Sequence, residues 1–212
     1  MAGGLRGGAA TAAAIVAGLV AGCGGSDPDP GPQAEPRPRE KAEGLPELPE
    51  GWTKLENKSQ GLAFGVPPGW KRGTDCLRGG TTPGTTSVIC SPDKLVSLAV
   101  TADRSEQALE LPPAEFAVRT MEGLETEGYR SLDPEKPKDF KGHYNGTSLK
   151  ASGKAATGVR QNVKVVVLRR DDYANFTAVI AANAERPTGP AVELAERSLR
   201  TLRSQPTKQS RD

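Results

Sequence analysis

Four side chains in this sequence are the first to weigh for covalent or acid–base work: Cys23, Cys76, Cys90 and the single histidine, His143. Cys23 follows Leu19-Val20-Ala21-Gly22 and ends an apolar run. Small residues at Ala21 and Gly22 suit the narrow pocket of a signal peptidase. A thiolate is the nucleophile such a position needs, because it can take a diacylglyceryl group as a thioether. Cys76 and Cys90 lack the C-x-x-C spacing of a redox pair, so a structural disulfide is the expected use of two thiols left over in an exported chain. It would close a loop of about 15 residues, worth roughly 3 kcal/mol in chain entropy. His143 lies in Lys141-Gly142-His143-Tyr144-Asn145-Gly146 without the further His or Cys a metal site wants and without a Gly-x-Ser-x-Gly elbow. It reads as a loop or edge-strand residue.

Other resemblances to chemical motifs fail on spacing. Gly146 and Gly153 are seven apart, and Ala155 stands where a phosphate loop needs Ser or Thr after its lysine. Leu149, Ala151, Gly153 and Ala155 alternate as a strand does instead. Asp171-Asp172 fits a tight turn, where aspartate caps its own backbone. Asn57, Asn145 and Asn175 head glycosylation triplets, which carry no weight in a bacterium. The expected catalytic, cofactor and metal residues are therefore none, and the chain is expected not to be an enzyme, a hydrolase centred on His143 remaining the open alternative.

The elements around these residues divide the 212-residue chain. Residues 1–22 carry Arg6 and an Ala-rich stretch of about 14 residues, too short to span a bilayer, and read as a lipoprotein signal peptide. Residues 23–50 are a lipidated Cys23 and a disordered Pro/Gly-rich tether with almost no large apolar side chain before Leu45. Extended, the tether reaches roughly 60–80 Å. Residues 51–203 form a single globular domain, and 204–212 a disordered tail. Arg6 is the only charge ahead of Cys23, so a formal charge of +2 falls to +1 after cleavage. Without a Lys/Arg cluster, nucleic acid is excluded as a partner. Aromatics at 4% supply few stacking platforms.

Within the domain, strands are expected over Thr53–Asn57, Gly61–Val66, from Trp70 toward Cys76, and over Thr86–Cys90, with Pro67-Pro68-Gly69 as a turn. Val96, Leu98 and Val100 alternate as a half-buried strand. A helix opens at Pro112-Pro113, carries Phe116, Ala117, Thr120, Met121 and Leu124 at helical spacing, and stops at Gly128. Asp133–Lys138 reads as a loop. Thr147–Ala156, Arg160–Arg169 and Tyr173–Asn183 are the central strands, the middle one apolar on both faces. A last helix runs from Pro190 to Leu202.

The phrase Gly61-Leu-Ala-Phe-Gly-Val-Pro-Pro-Gly-Trp70, the mid-chain helix, the hairpin Val163–Ile180 and the closing helix resemble the PsbP-like fold. That fold is shared by PsbP and the Ran-binding protein Mog. Actinobacterial lipoproteins of the LpqN type are similar and carry the same lipobox and linker. The resemblance implies an α+β fold, an antiparallel sheet between helices (an α/β/α sandwich), and a protein that binds partners. The expected function is a lipoprotein, lipid-anchored (palmitate-bearing) at Cys23 on the extracytoplasmic face of the cell membrane. There it would serve as a non-catalytic adaptor for another envelope component, a protein. The alternative is a small-molecule or lipid carrier with an apolar pocket between sheet and helix. The loops Gly79–Thr86 and Asp133–Gly146 are the first places to look for the binding surface.

Overall fold

The computed structural model describes residues 43–73, 86–126, 128–170 and 174–207. Cys23, Cys76, Asp171-Asp172 and all but the last residue of the Gly79–Thr86 loop lie outside them. The described elements run in chain order: β1 (Thr53–Asn57), β2 (Leu62–Val66), β3 (Lys71–Arg72), β4 (Ser87–Cys90), β5 (Val96–Asp103), α1 (Glu106–Glu110), α2 (Pro113–Thr126), β6 (Arg130–Pro134), β7 (Lys138–Phe140), β8 (Gly146–Lys154), β9 (Arg160–Arg170), β10 (Ala174–Asn183), α3 (Gly189–Arg200) and β11 (Arg203–Ser204). None of the helices among these residues is long and apolar enough to cross a membrane.

The fold is an antiparallel sheet flanked by helices. The large sheet has strand order β3-β4-β5-β10-β9-β8-β6 among the described residues, with β7 also paired to β8. Strand β9 explains the layering. Its apolar run is buried from Val165 to Leu168, and successive side chains point to opposite faces. Val163, Val165 and Val167 meet Ala117, Met121 and Leu124 of α2. Val166 and Leu168 join Phe176, Ile180, Leu98 and the α3 residues Ala195 and Leu199 on the other face. A sheet covered on both sides needs such a run, and the shorter β4, buried at all four positions, has one as well.

The α3 layer is completed by a second, three-stranded sheet of order β1-β2-β11. Leu62, Phe64 and Val66 of β2 bury into the same core as α3. Helix α2 ends where expected. Gly128 takes φ +111°, and the Tyr129 and Gly128 N–H groups return to the Leu124 and Glu125 carbonyls at 3.0 and 3.3 Å. The expected loop Asp133–Lys138 is shorter than its sequence suggests. β6 runs through Pro134, and β7 begins at Lys138. Among the described residues the strand opening at Trp70 is only Lys71–Arg72, since Trp70 donates to the Pro67 carbonyl in the turn.

Candidate functional site

Two arrangements stand out, at opposite ends of β8, β9 and β10. The first is a groove of about 630 Å³ on the α3 side of the sheet. Helix α3 covers β10 and β5 but stops short of the β9, β8 and β6 side. The residues facing that open strip are polar, as a half-covered sheet requires. Asn162 and Lys164 of β9, Lys150 and Ser152 of β8, Asp133 of β6 and Glu135 just after it form one bank. Ile180, Ala182 and Val192 form the apolar bank beside the first turns of α3.

The charges in the groove are unequally matched. Lys150 and Lys164 are direct cross-strand partners, a pairing of like charges that costs stability unless other groups answer it. Lys164 Nζ is answered by Glu196 at 2.8 Å and lies 5.4 Å from the Phe140 ring centre. Glu135 pairs with Lys138 at 3.1 Å. Lys150 has no ion pair among the described residues. Ser152 Oγ donates to Asn162 Oδ1 at 2.8 Å, tying the strands together across the floor. The sequence locates the strip only in hindsight: alternation on β9 changes from apolar on both faces to polar on one face at Lys164 and Asn162.

The second arrangement is a clasp on Glu43, a residue that composition places in the tether. Its N–H donates to the Ser204 carbonyl at 3.2 Å, and Gln205 Nε2 donates to its carbonyl at 2.6 Å. Its carboxylate accepts from the Tyr144 hydroxyl at 2.5 Å, sits 3.0 Å from His143 Nε2 and pairs with Arg170 Nε at 2.9 Å. Burial pulls the Glu43 pKa up. The hydrogen bonds from Tyr144 and His143 and the Arg170 charge outweigh it and hold the carboxyl below its ordinary value of 4.5. Burial first, and then the bond to that carboxylate, raise the Tyr144 hydroxyl above its ordinary 10.0. Tyr144 also stacks on Phe176 at 5.3 Å between ring centres and accepts from the Ser204 N–H at 2.8 Å. His143 is thus a loop residue engaged with a carboxylate and a tyrosine. No third acid–base group of a hydrolytic set meets it among the described residues. The clasp joins residues about a hundred positions apart, and no local sequence signal marks it.

Cys90 is fully buried on β4, opposite Ser97 of β5 and Lys71 of β3. Of the two loops singled out from sequence, Asp133–Gly146 contributes to both arrangements: Asp133 and Glu135 to the groove, His143 and Tyr144 to the clasp.

No protein-family model matches the chain, and no curated protein matches it in sequence. Solved structures do. The solution structure of cyanobacterial PsbP (CyanoP) from Synechocystis sp. PCC 6803 is 13% identical, with a TM-score of 0.53 over 76% of this chain and 98% of that one. A point mutant of the protein Mog1 is 13% identical, with a TM-score of 0.51 over 75% and 98%. LpqN, involved in cell envelope biogenesis of Mycobacterium tuberculosis, is 13% identical with a TM-score of 0.40 over 79% and 87%. At such identities the likeness establishes the PsbP- and Mog1-like α+β fold and nothing of the activity.

Proposed function

We propose that this chain is a lipoprotein, anchored at Cys23 on the extracytoplasmic face of the cell membrane. Its domain is a non-catalytic binding module for another envelope component, a protein. The chain is of actinobacterial type, and Cys76 and Cys90 form a structural disulfide. The observation that carries the binding reading is the open strip of sheet beside α3. It offers a bank of mixed charge, including Lys150, which has no ion pair among the described residues, next to the apolar Ile180, Ala182 and Val192. A surface that combines buried apolar contact with unanswered charge suits a protein partner.

The carrier reading is favoured by one observation, the groove's volume of about 630 Å³ between sheet and helix, within the range of small-molecule sites. The charged bank disfavours a simple alkyl chain, which leaves those groups nothing to bond. One experiment separates the two. Immobilised full-length chain with Cys23→Ser is exposed to envelope extract, beside a Lys150→Glu copy, and bound proteins and lipids are read by mass spectrometry. A protein retained by the first and lost from the second supports the module. A lipid or metabolite retained without protein supports the carrier. Equal retention on both copies removes the groove from either account.

A further inference from the structure

The polar strip of the groove continues into a row of cations that strand pairing alone assembles. Arg130 of β6 lies opposite Lys154 of β8, and Lys154 lies opposite Arg160 of β9. At the spacing of neighbouring strands their Cα positions fall within about 10 Å of one another. Lys154 follows Ser152 on β8 and Arg160 precedes Asn162 on β9 at alternate positions, so the row shares the groove's face. Tyr129, just before Arg130, keeps the other face: it packs with the α2 core and donates to Gln161 Oε1 at 2.8 Å. All three cations are exposed, and none has an ion pair among the described residues. Like charges directly opposed across a sheet are destabilising, and the same face also opposes Lys150 to Lys164. Glu196 answers Lys164, and Glu135 answers Lys138. Asp133 and Glu193 line the groove too. On the loop after β10, which reaches Arg160 through the Ala184 N–H, Glu185 and Arg186 cancel in formal charge. Among the described residues, that leaves Arg130, Lys150, Lys154 and Arg160 without a counter-ion, facing Asp133 and Glu193. No single stretch of the sequence holds this cluster.

We propose that the partner of this groove presents an acidic segment of protein with an apolar anchor. Its carboxylates lie on the Arg130–Lys154–Arg160 row, and its anchor lies against Ile180, Ala182 and Val192. This rests on the reading of the groove as the module's binding face. Complementary charge steers such an encounter and fixes its register. A continuous surface of anionic lipid head groups would meet Asp133 and Glu193 together with the cations. A peptide can bring carboxylates to the row and amide donors to those acids. The segment does not extend the sheet. Strand β6 is the edge beside the row. It is blunted by the register shift between Arg130 and Asp133, with Ser131 at φ +56°, and by Pro134. The segment therefore lies across the face of the strands.

The test titrates the full-length chain carrying Cys23→Ser and reads backbone amide shifts. Three probes are used: a short synthetic peptide of glutamates flanking a leucine pair, the same peptide with glutamine for glutamate, and phosphatidylglycerol vesicles. The acidic peptide should move the amides of Lys154, Arg160 and Ala182 together, and the glutamine peptide should bind about tenfold more weakly, as the loss of several exposed ion pairs would give. Lys154→Glu should weaken the acidic peptide by a like factor. Lys58→Glu, an equal change of charge on the turn between β1 and β2, should leave it unchanged. Because Lys154→Glu also relieves the opposed like charges, that variant should unfold at a higher urea concentration, so lost binding is not lost folding. Equal binding of both peptides at Ile180 and Ala182 overturns the acidic partner and leaves the groove standing as the binding face. Vesicles that shift the row more than the acidic peptide does overturn it in favour of lipid head groups. If neither peptide moves these amides the acidic partner is overturned as well, and whether the groove falls with it is read from retention of envelope protein on the Lys150→Glu copy.

Discussion

Asn175 heads a glycosylation triplet in the sequence, but its side chain is fully buried and serves the fold. Its Nδ2 donates to the Ala108 carbonyl at 2.6 Å, and its Oδ1 accepts from Arg169 Nε at 3.0 Å. Arg169 also donates to the Leu111 carbonyl at 2.5 Å. These carbonyls belong to the last turn and C-cap of α1, where no intrahelical donor reaches them. Asn175→Ala is expected to lower stability by about 2 kcal/mol, since it removes the nearer of two donors to the Ala108 carbonyl, leaving Arg169 at 3.3 Å, and takes away the acceptor of Arg169 Nε, as a urea titration would measure. Asn175→Asp should be at least as costly, because a carboxylate does not donate to Ala108. The Glu43 carboxylate sets a pH dependence of definite sign. Its pKa lies below 4.5 when clasped, so its contribution is complete above that value and is lost as pH falls through the lowered one. At the other extreme the Tyr144 bond contributes fully below 10.0 and is lost as pH climbs through the raised pKa above it. The protection of the Glu43 and Ser204 amides, taken as exchange relative to the intrinsic rate at each pH, should therefore be high between these limits and fall beyond either. Protection that is flat across the acid limit would show that the carboxylate does not hold the clasp.

At the scale of elements, the strands with a clear period were legible, and the pieces that needed a partner to exist were not. Val96, Leu98 and Val100 alternate, and β5 follows them. The α2 face of Ala117, Met121 and Leu124 recurs at helical spacing. Helix α1 has five residues, fewer than a period can mark, and is held by Ser105 Oγ accepting from the Ala108 N–H at 3.2 Å. Strands β7 and β11 have three and two residues and exist only as additions to β8 and β2. The groove was half legible: Lys150, Asn162 and Lys164 show a polar face, but only the reach of α3 decides that this face stays open. The closeness of β8 and β9 rests on Gly146, where an added Cβ would lie 2.0 Å from the Val167 carbonyl oxygen. Gly146→Ala must push backbone apart and is expected to cost about 2 kcal/mol or more, with the loss visible as faster exchange of the β8–β9 amides. The proposed Cys76–Cys90 bridge would act at the same scale by restraining the segment before β4. Its reduction is expected to cost about 3 kcal/mol, and thiol titration of the unfolded mature domain should find both sulfurs oxidised.

For the molecule as a whole, the proposed location and the architecture rest on different parts of the chain and on different physics. The fold follows from burial, and its period survives in residues 51–203. The tether's last residues were misleading, because composition alone gives Glu43 no reason to be ordered. It is ordered by groups a hundred residues away that no local window contains. The anchor is a matter of one nucleophile and its neighbours, so it is testable by one atom. Cys23→Ala removes the only thiol that follows the small residues Ala21 and Gly22 and leaves the domain's core untouched. The variant should lose label from radioactive palmitate and leave the membrane fraction as unlipidated precursor or soluble product. Its domain should unfold at the same urea concentration as before, because position 23 lies ahead of the strands and helices that build the core. A variant that still takes up palmitate would place the lipid elsewhere. It would end the anchored reading, while the clasp between Glu43 and Arg170 would remain a feature of the fold with its acid limit unchanged.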